Sequence, residues 1–153
     1  MKTGIDRAFM QTAIKLAKKA GQMGEIPVGA VVVKDGNIIG TGYNRREQTG
    51  NVLAHAEIDA LCAACETLGD WRLDGCTVYV TLEPCPMCAG AILNARVSTV
   101  VFGAYDLRAG SFGSVTDLAV AGYESRPEVY GGICEDECAD LLSVFFKTVR
   151  GNN

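Results

Sequence analysis

The chain carries one imidazole, one carboxylate and two thiols in two short motifs. His55-Ala56-Glu57 lies about thirty residues before Cys85-Pro86-Met87-Cys88, and His55 is the only histidine of the chain. A zinc site with a nitrogen ligand must therefore use His55. One His and two Cys ligands leave the fourth position of a tetrahedral zinc open to water, whereas a structural site fills that position with a fourth side chain. The ligand count predicts one catalytic Zn²⁺ per chain, bound by His55, Cys85 and Cys88.

Both motifs are predicted to lie at helix N-termini. Apolar positions follow His55 at helical spacing until Gly69-Asp70 ends the pattern. Pro86 suits the first turn of a second helix that runs to about Asn94. The partial positive charge of a helix N-terminus lowers thiol pKa values and favours thiolates as metal ligands.

The remaining elements predict a three-layer α/β/α fold. An amphipathic helix precedes a β-hairpin with the turn Asp35-Gly36, and strands and helices then alternate, which places helices on both faces of a sheet. The last helix is predicted to bury Cys138, Leu141, Leu142, Phe145 and Phe146. The predicted helices are 6–22, 55–68, 86–94 and 135–148, the strands are 28–33, 37–43, 76–82, 97–102 and 129–133, and the loops include 44–51 and 103–113.

Length and composition favour a single domain over residues 1–153, since 153 residues with 48% hydrophobic content build one core. Apolar runs stay far below the roughly 18 residues of a membrane helix, and the N-terminus lacks the apolar region of a signal peptide. We therefore expect a cytoplasmic protein with no membrane partner. The formal charge of −4 shows no overall excess of basic residues, so an RNA partner would need a local basic patch.

Seven cysteines are an odd number, which disfavours a disulfide framework. Cys62-x-x-Cys65 suggests a second metal, but both residues lie on the apolar stripe of one predicted helix and the chain has no second histidine. We expect Cys62 and Cys65 to be core thiols. The same expectation covers Cys76, Cys134 and Cys138.

Glu57 is the candidate proton carrier. Two thiolates formally neutralise Zn²⁺, so water activated by this metal is a weaker acid than water on three neutral histidines, whose pKa falls to about 7. A neighbouring base must then assist, and Glu57 projects from the same first turn as His55. As an isolated residue, Glu57 would instead be read as a carboxylate that complements the helix dipole. The combined arrangement H-x-E…P-C-x-x-C is the known signature of zinc nucleobase deaminases, which hydrolyse an exocyclic amine.

In these motifs the sequence resembles the bacterial tRNA-specific adenosine deaminase family, within the cytidine deaminase-like superfamily. The likeness runs from residue 27 nearly to the C-terminal helix. His-Ala-Glu with Pro-Cys-x-x-Cys is specific to the superfamily, and Phe102-Gly103-Ala104-Tyr105-Asp106 with the following Gly/Ser loop narrows it towards the tRNA enzymes. The matching segments are 27–31, 42–45, 54–58, 81–92, 101–106 and 110–114.

The resemblance implies a cytidine deaminase-like fold with a central mixed five-stranded sheet. It also implies a homodimer that converts adenosine to inosine at the wobble position in a tRNA anticodon stem-loop. Two departures are Val52-Leu53, in place of the usual Pro-Thr before the histidine motif, and the short tail after Lys147 and Arg150. The implied residue roles are zinc ligation by His55, Cys85 and Cys88, proton transfer by Glu57, contact with the base by Asn44 and the Ala56 backbone, a pocket wall at Val28, and contact with anticodon nucleotides by Asp106.

Two alternatives remain open. A free nucleobase deaminase acting on guanine or cytosine is compatible with the acidic chain, because a small neutral substrate needs no phosphate contacts. A catalytically silent RNA-binding subunit with structural zinc is disfavoured by Glu57, since a structural site has no use for a proton carrier.

Overall fold

A mixed five-stranded sheet forms the centre of the molecule in the computed structural model, which describes residues 4–151. The strand order is β2-β1-β3-β4-β5, with β1 antiparallel to both β2 and β3, and with β4 parallel to both β3 and β5. The sheet predicted from the resemblance is confirmed. The elements are α1 (Arg7–Gln22), β1 (Gly29–Lys34), β2 (Asn37–Tyr43), α2 (Arg46–Thr49), α3 (Ala56–Leu68), β3 (Thr77–Leu82), α4 (Pro86–Asn94), β4 (Thr99–Ala104), a 3₁₀ helix (Leu118–Val120), β5 (Glu128–Tyr130) and α5 (Glu135–Gly151).

Helices cover both faces of the sheet, because successive strand side chains point to opposite faces. Val32 and Val78 pack with α3 and α4 on one face. Val31 and Tyr79, their neighbours along the strands, pack with α1 and the start of α5 on the other face. The predicted three-layer α/β/α architecture is confirmed.

Small residues allow α3 to lie directly on β2. A Cβ atom on Gly42 would lie 2.3 Å from the carbonyl oxygen of Ala56 and 2.8 Å from the backbone nitrogen of Ala60. Gly40 approaches the Ala60 carbonyl and Ala64 in the same way. The hairpin therefore fixes the first turns of α3, the helix that begins immediately after His55.

This contact also corrects the predicted orientation of α3. Its buried face follows Ala56, Ala60 and Ala64, which turns Cys62 into solvent and leaves Cys65 half-buried. The prediction that Cys62 is a core thiol was wrong, because the buried face of α3 runs through Ala60, Leu61 and Ala64 and leaves Cys62 outside the core. Cys76 and Cys138 are buried as predicted, whereas Cys134 is half-buried.

The last helix is less buried than predicted. Its core contacts come from residues 138–142 in the first half of the helix, on the α1 side of the sheet. Of the five side chains predicted to be buried, only Cys138 is fully buried. Leu141, Leu142 and Phe145 are half-buried and Phe146 is 41% exposed, so the prediction of full burial was wrong for these four. The apolar spacing of a helix does not reveal how far along its length the sheet provides a partner.

Some boundaries differ locally from the predictions. The segment 44–51, predicted as a loop, contains the single helical turn α2, which is too short to produce a periodic pattern. Strand β5 ends at Tyr130 instead of continuing to Ile133, and the 3₁₀ helix was not predicted. Within residues 4–151, none of the helices is long and apolar enough to cross a membrane.

Replacing Gly42 tests the contact between β2 and α3. We expect Gly42→Ala to lower the free energy of unfolding by about 1–3 kcal/mol, because the added methyl group must displace the α3 backbone. Gly90→Ala is the matched control: Gly90 lies inside α4 with open space at its Cβ position, and the change should stabilise the protein by up to about 1 kcal/mol. Urea unfolding at fixed protein and zinc concentrations measures both effects. Equal stability of the two variants would contradict the proposed role of the close contact.

Candidate active site and metal centre

The two sequence motifs meet at one point. His55 is the N-cap residue of α3, and Cys85 is the N-cap residue of α4. The Nδ1 atom of His55 lies 3.7 Å from Sγ of Cys85 and 3.5 Å from Sγ of Cys88. Two helix N-termini therefore converge at the carboxyl end of β3, where open α/β sheets usually bind their ligands.

The spacing of these donor atoms fits zinc. A tetrahedral Zn²⁺ with Zn–S of about 2.3 Å and Zn–N of about 2.0–2.1 Å holds sulfur and nitrogen about 3.6 Å apart. The two observed separations from His55 lie on either side of that value, and the three donor atoms all lie within 4.8 Å of one another. Cys88 is fully buried, whereas His55 and Cys85 are partly exposed and face a cavity. Protein therefore shields the three donors on one side, and a molecule in the cavity can reach them from the other.

The two thiols and the imidazole shift one another's pKa values. Hydrogen bonds from Cys88 and then His55 lower the pKa of Cys85 to about 4, against the effect of burial. The contact with Cys85, followed by burial, raises the pKa of Cys88. The contact with Cys85 also raises the pKa of His55. These contacts favour the thiolate form of Cys85, and a bound cation would favour the thiolate at both cysteines.

Glu57 lies beside this donor set and is only 4% exposed. Burial raises the pKa of its carboxyl group to about 7, and the neighbouring Cys85 adds to this effect. A group with that pKa can both hold and release a proton near neutrality, which is the property of an effective general acid or base. Glu57 also lines the cavity, so a ligand there can reach it.

The cavity has a volume of about 210 Å³. This is less than the roughly 300–1,000 Å³ of pockets that enclose drug-sized ligands, so the cavity suits one planar ring system. Every predicted site residue except the buried Cys88 contributes to its wall. The lining residues are Ile26, Val28, Asn44, Arg46, His55, Ala56, Glu57, Leu82, Glu83, Cys85, Asp106 and Ala109.

Asn44 is both a turn residue and a cavity residue. Its Oδ1 accepts a hydrogen bond from the backbone N–H of Arg46, and its Nδ2 donates to the carbonyl oxygen of Ile26, both at 3.2 Å. One of the two N–H groups of the amide is thereby used. The Ala56 N–H belongs to the first turn of α3, where a helix has no internal acceptor for it.

Asp106 follows β4 at the edge of the cavity. Its Oδ1 accepts hydrogen bonds from the backbone N–H groups of Arg108 at 3.0 Å and Ala109 at 3.2 Å, which shapes the chain that lines the cavity. Val52 and Leu53, the unusual pair before the histidine motif, are 70% and 51% exposed and lie outside the cavity wall. The departure at these positions therefore changes the protein surface beside the site.

Two buried carboxylates were missed by the sequence analysis. Glu25 accepts hydrogen bonds from the backbone N–H groups of Glu47 and Gln48 and so holds α2. Glu83, on the connection between β3 and Cys85, accepts hydrogen bonds from the segment after β4. An acidic residue directly after a buried strand was the available signal for Glu83, because burial of an acidic residue requires polar partners. Glu25, four residues before β1, lacked that signal.

The basic residues singled out as candidates for phosphate contacts have different surroundings. Arg45 is paired with Asp59 at 2.9 Å, Arg46 lines the cavity, and Arg108 is exposed beside it. Arg126 and Lys147 are also exposed, and the side chain of Arg150 lies outside the described residues.

Comparison with known proteins decides the family. Residues 3–104 match the family described as the cytidine and deoxycytidylate deaminase zinc-binding region. The tRNA-specific adenosine deaminase of Bacillus subtilis strain 168 is 48% identical over 146 residues, which cover 95% of this chain and 91% of the relative. This chain belongs to the tRNA-specific adenosine deaminase family. The corresponding protein of Agrobacterium fabrum strain C58 is 43% identical over 93% of this chain and 94% of its own length.

Solved structures agree with this assignment to the tRNA-specific adenosine deaminase family. A tRNA:A34 deaminase, studied for A-to-I editing at the wobble position of transfer RNA, matches with a TM-score of 0.85 and 43% identity over 90% of this chain and all of that chain. A guanine deaminase from Bacillus subtilis matches with a TM-score of 0.65 and 38% identity over 79% of this chain and 72% of its own. The protein is a zinc-dependent hydrolytic deaminase, and the resemblance found from the motifs is confirmed.

Substitution of Cys88 tests the metal centre. We expect Cys88→Ala to lose the one zinc per chain, because two remaining donors hold the ion much more weakly than three. Cys62→Ala, which changes an exposed thiol on α3, should keep one zinc. Atomic absorption after extensive dialysis gives the metal content. Stoichiometric zinc in Cys88→Ala would contradict this donor set.

Proposed function

We propose that this protein converts adenosine to inosine by hydrolytic deamination at the wobble position of a tRNA anticodon stem-loop. The observation that carries the proposal is a buried carboxylate, Glu57, beside the His55, Cys85 and Cys88 donor set and facing a cavity sized for one base. The high identity with relatives named tRNA-specific adenosine deaminase supports this choice of substrate.

The proposed ligands are His55, Cys85 and Cys88. Zinc bound there would act as a Lewis acid that lowers the pKa of a water molecule and so supplies the nucleophile. Glu57 would accept one proton from the attacking water and pass it to the ring nitrogen next to the reacting carbon. It would then take the second proton of that water, from the hydroxyl group now on the reacting carbon, and deliver it to the amine as the carbon–nitrogen bond breaks. Burial raises the pKa of its carboxyl group, which favours capture of the proton before its transfer.

The cavity wall is proposed to select and orient the base. Val28 and Ile26 supply apolar surface for the faces of a ring. The amide of Asn44 and the N–H of Ala56 are the polar groups that can bond to its edge. Asp106 lies at the rim, where neighbouring nucleotides of a stem-loop would pass. These contacts need a base that has left its stack, as in other enzymes that react with a base in nucleic acid.

We further propose that the protein acts as a cytoplasmic homodimer and as one domain over residues 1–153. An apolar groove between α3 and α4 supports the dimer, because it is lined by Ile58, Leu61 and Ala91 and bordered by Trp71, which is 53% exposed. Light scattering coupled to size exclusion should give twice the 16.2 kDa of one chain. A mass of 16.2 kDa at micromolar concentration would contradict the dimer.

A free nucleobase deaminase is the second candidate. It is favoured by the likeness to the guanine deaminase from Bacillus subtilis and by the cavity itself, which accepts a single ring system. In the first function the reacting base is part of an RNA, and in the second it is a free molecule. Measuring which of these substrates the protein deaminates therefore distinguishes the two functions.

The substrate test compares the zinc-loaded protein on three substrates: an anticodon stem-loop with a wobble adenosine, guanine, and cytosine. We expect inosine in the RNA and much slower deamination of both free bases. Glu57→Gln should keep one zinc and lose about 10²–10⁴-fold in turnover, because the proton carrier is removed. Glu128→Gln, an exposed change in β5 away from the cavity and the groove, is the control and should match the wild type. Deamination of a free base alone would refute the RNA substrate, and normal turnover by Glu57→Gln would refute the proton carrier.

A further inference from the structure

Glu83 is a buried carboxylate that the proposed reaction does not use. It follows β3, lies two residues before Cys85, and is 2% exposed. The hydrogen bonds that its carboxylate accepts from the described residues all come from residues 105–117, here called the cavity loop. Its Oε1 accepts from the N–H of Asp106 at 3.1 Å and from the hydroxyl of Ser114 at 2.5 Å, and its Oε2 accepts from the N–H groups of Phe112 at 3.1 Å and Ser114 at 3.0 Å.

These four donors match an ionised carboxylate. Such a group only accepts hydrogen bonds and has about four acceptor positions, so each donor has a place. Bonds to a charged acceptor are about twice as strong as those between neutral groups. The loop is also bonded to the connection after β3 through the N–H of Ser111, which donates to the carbonyl oxygen of Pro84 at 2.9 Å. Glu83 is therefore the charged centre around which the cavity loop is wrapped.

Gly110 shows how closely the loop follows this carboxylate. A Cβ atom at Gly110 would lie 2.3 Å from Cδ of Glu83 and 2.4 Å from the carbonyl oxygen of Asp106. Only a residue without a side chain can occupy that position while the loop stays in place. The same loop carries Asp106 and Ala109, which line the cavity. Glu83 thus connects the metal-ligand segment with the wall on which the substrate would rest.

We propose that Glu83 is a positioning residue for RNA binding. It holds Asp106 and the rest of the cavity loop against the cavity, and it thereby sets the affinity for the RNA without holding zinc or moving protons. The substrate named here rests on the proposed function; the anchoring of the loop does not. The chemical step remains with Glu57 and the three metal ligands.

Glu83→Gln is the informative change because it preserves size and removes acceptors. An amide nitrogen in place of Oε2 would face two backbone N–H donors. In place of Oε1 it would face the N–H of Asp106 and a Ser114 hydroxyl that can turn to accept. At best, therefore, the variant leaves the N–H of Asp106 without its acceptor, and Asp106 lines the cavity in which the substrate is proposed to bind.

The test measures zinc content, hydrogen exchange and kinetics on the wobble-adenosine stem-loop. We expect Glu83→Gln to keep one zinc per chain, to exchange the amides of residues 105–117 faster, and to raise KM about tenfold to a hundredfold while kcat changes less than threefold. Ser114→Ala removes one of the four donors and should raise KM by a smaller factor. Glu128→Gln alters an exposed carboxylate that accepts a hydrogen bond from Tyr130, and it should match the wild type.

Several results would overturn the proposal. Loss of zinc, or a fall in kcat with KM unchanged, would mean that Glu83 supports Cys85 and the chemistry instead of the loop. Unchanged exchange of residues 105–117 in Glu83→Gln would mean that the loop does not need the carboxylate. If Glu83→Gln does not fold, an unchanged KM in Ser114→Ala refutes the proposal. If the wild type does not deaminate the stem-loop, the proposed function fails, and hydrogen exchange with zinc content still decides whether Glu83 anchors the loop.

Discussion

The meeting of two helix N-termini at the carboxyl end of β3 is the constraint on which the rest of the site depends. It places Nδ1 of His55 within 3.7 Å of both thiol sulfurs. The close contact of Gly42 with the first turns of α3 sets one side of this meeting, and the short connection from β3 to α4 sets the other. Neither helix can shift without separating the imidazole from the sulfurs. The packing of α3 and α4 on the sheet therefore also determines whether the three donors can bind a metal ion.

Three buried carboxylates, Glu25, Glu57 and Glu83, lie near this edge of the sheet, and each has a different role. Glu57 gains a pKa of about 7 from burial, which makes proton exchange possible. Glu25 and Glu83 instead accept backbone hydrogen bonds, Glu25 from α2 and Glu83 from the cavity loop. Burying a carboxylate costs free energy unless it is paired or hydrogen-bonded, so these bonds explain why both segments take one defined path. The cavity is thereby formed before a ligand arrives, which reduces the ordering cost of binding.

The metal site could be predicted from sequence because it depends on residue types and on two helix starts. The single histidine, the Cys85-x-x-Cys88 spacing and Pro86 indicated the candidate ligands and the helices that carry them, and the structure brings these three donors together. Fold class and sheet composition followed from the alternation of elements and from the family resemblance. These features are local, or repeat regularly along the chain.

What sequence reasoning missed depends on contacts between distant segments. Cys62 was expected in the core, but the approach of α3 to Gly40 and Gly42 rotates that helix and exposes the thiol. Phe146 was expected to be buried, yet α5 packs in the core only through residues 138–142. The bonds of Glu83 join residues 23 to 31 positions apart, and no periodic pattern encodes them.

In the proposed reaction, the zinc centre and Glu57 add water to an adenosine held in the cavity. The most direct test is a single turnover of the zinc-loaded protein on a wobble-adenosine stem-loop in water enriched with heavy oxygen, followed by mass analysis of the wobble nucleoside. The account predicts inosine carrying one heavy oxygen atom at the carbon that lost the amine. An unchanged adenosine, or inosine without the heavy oxygen, would contradict it.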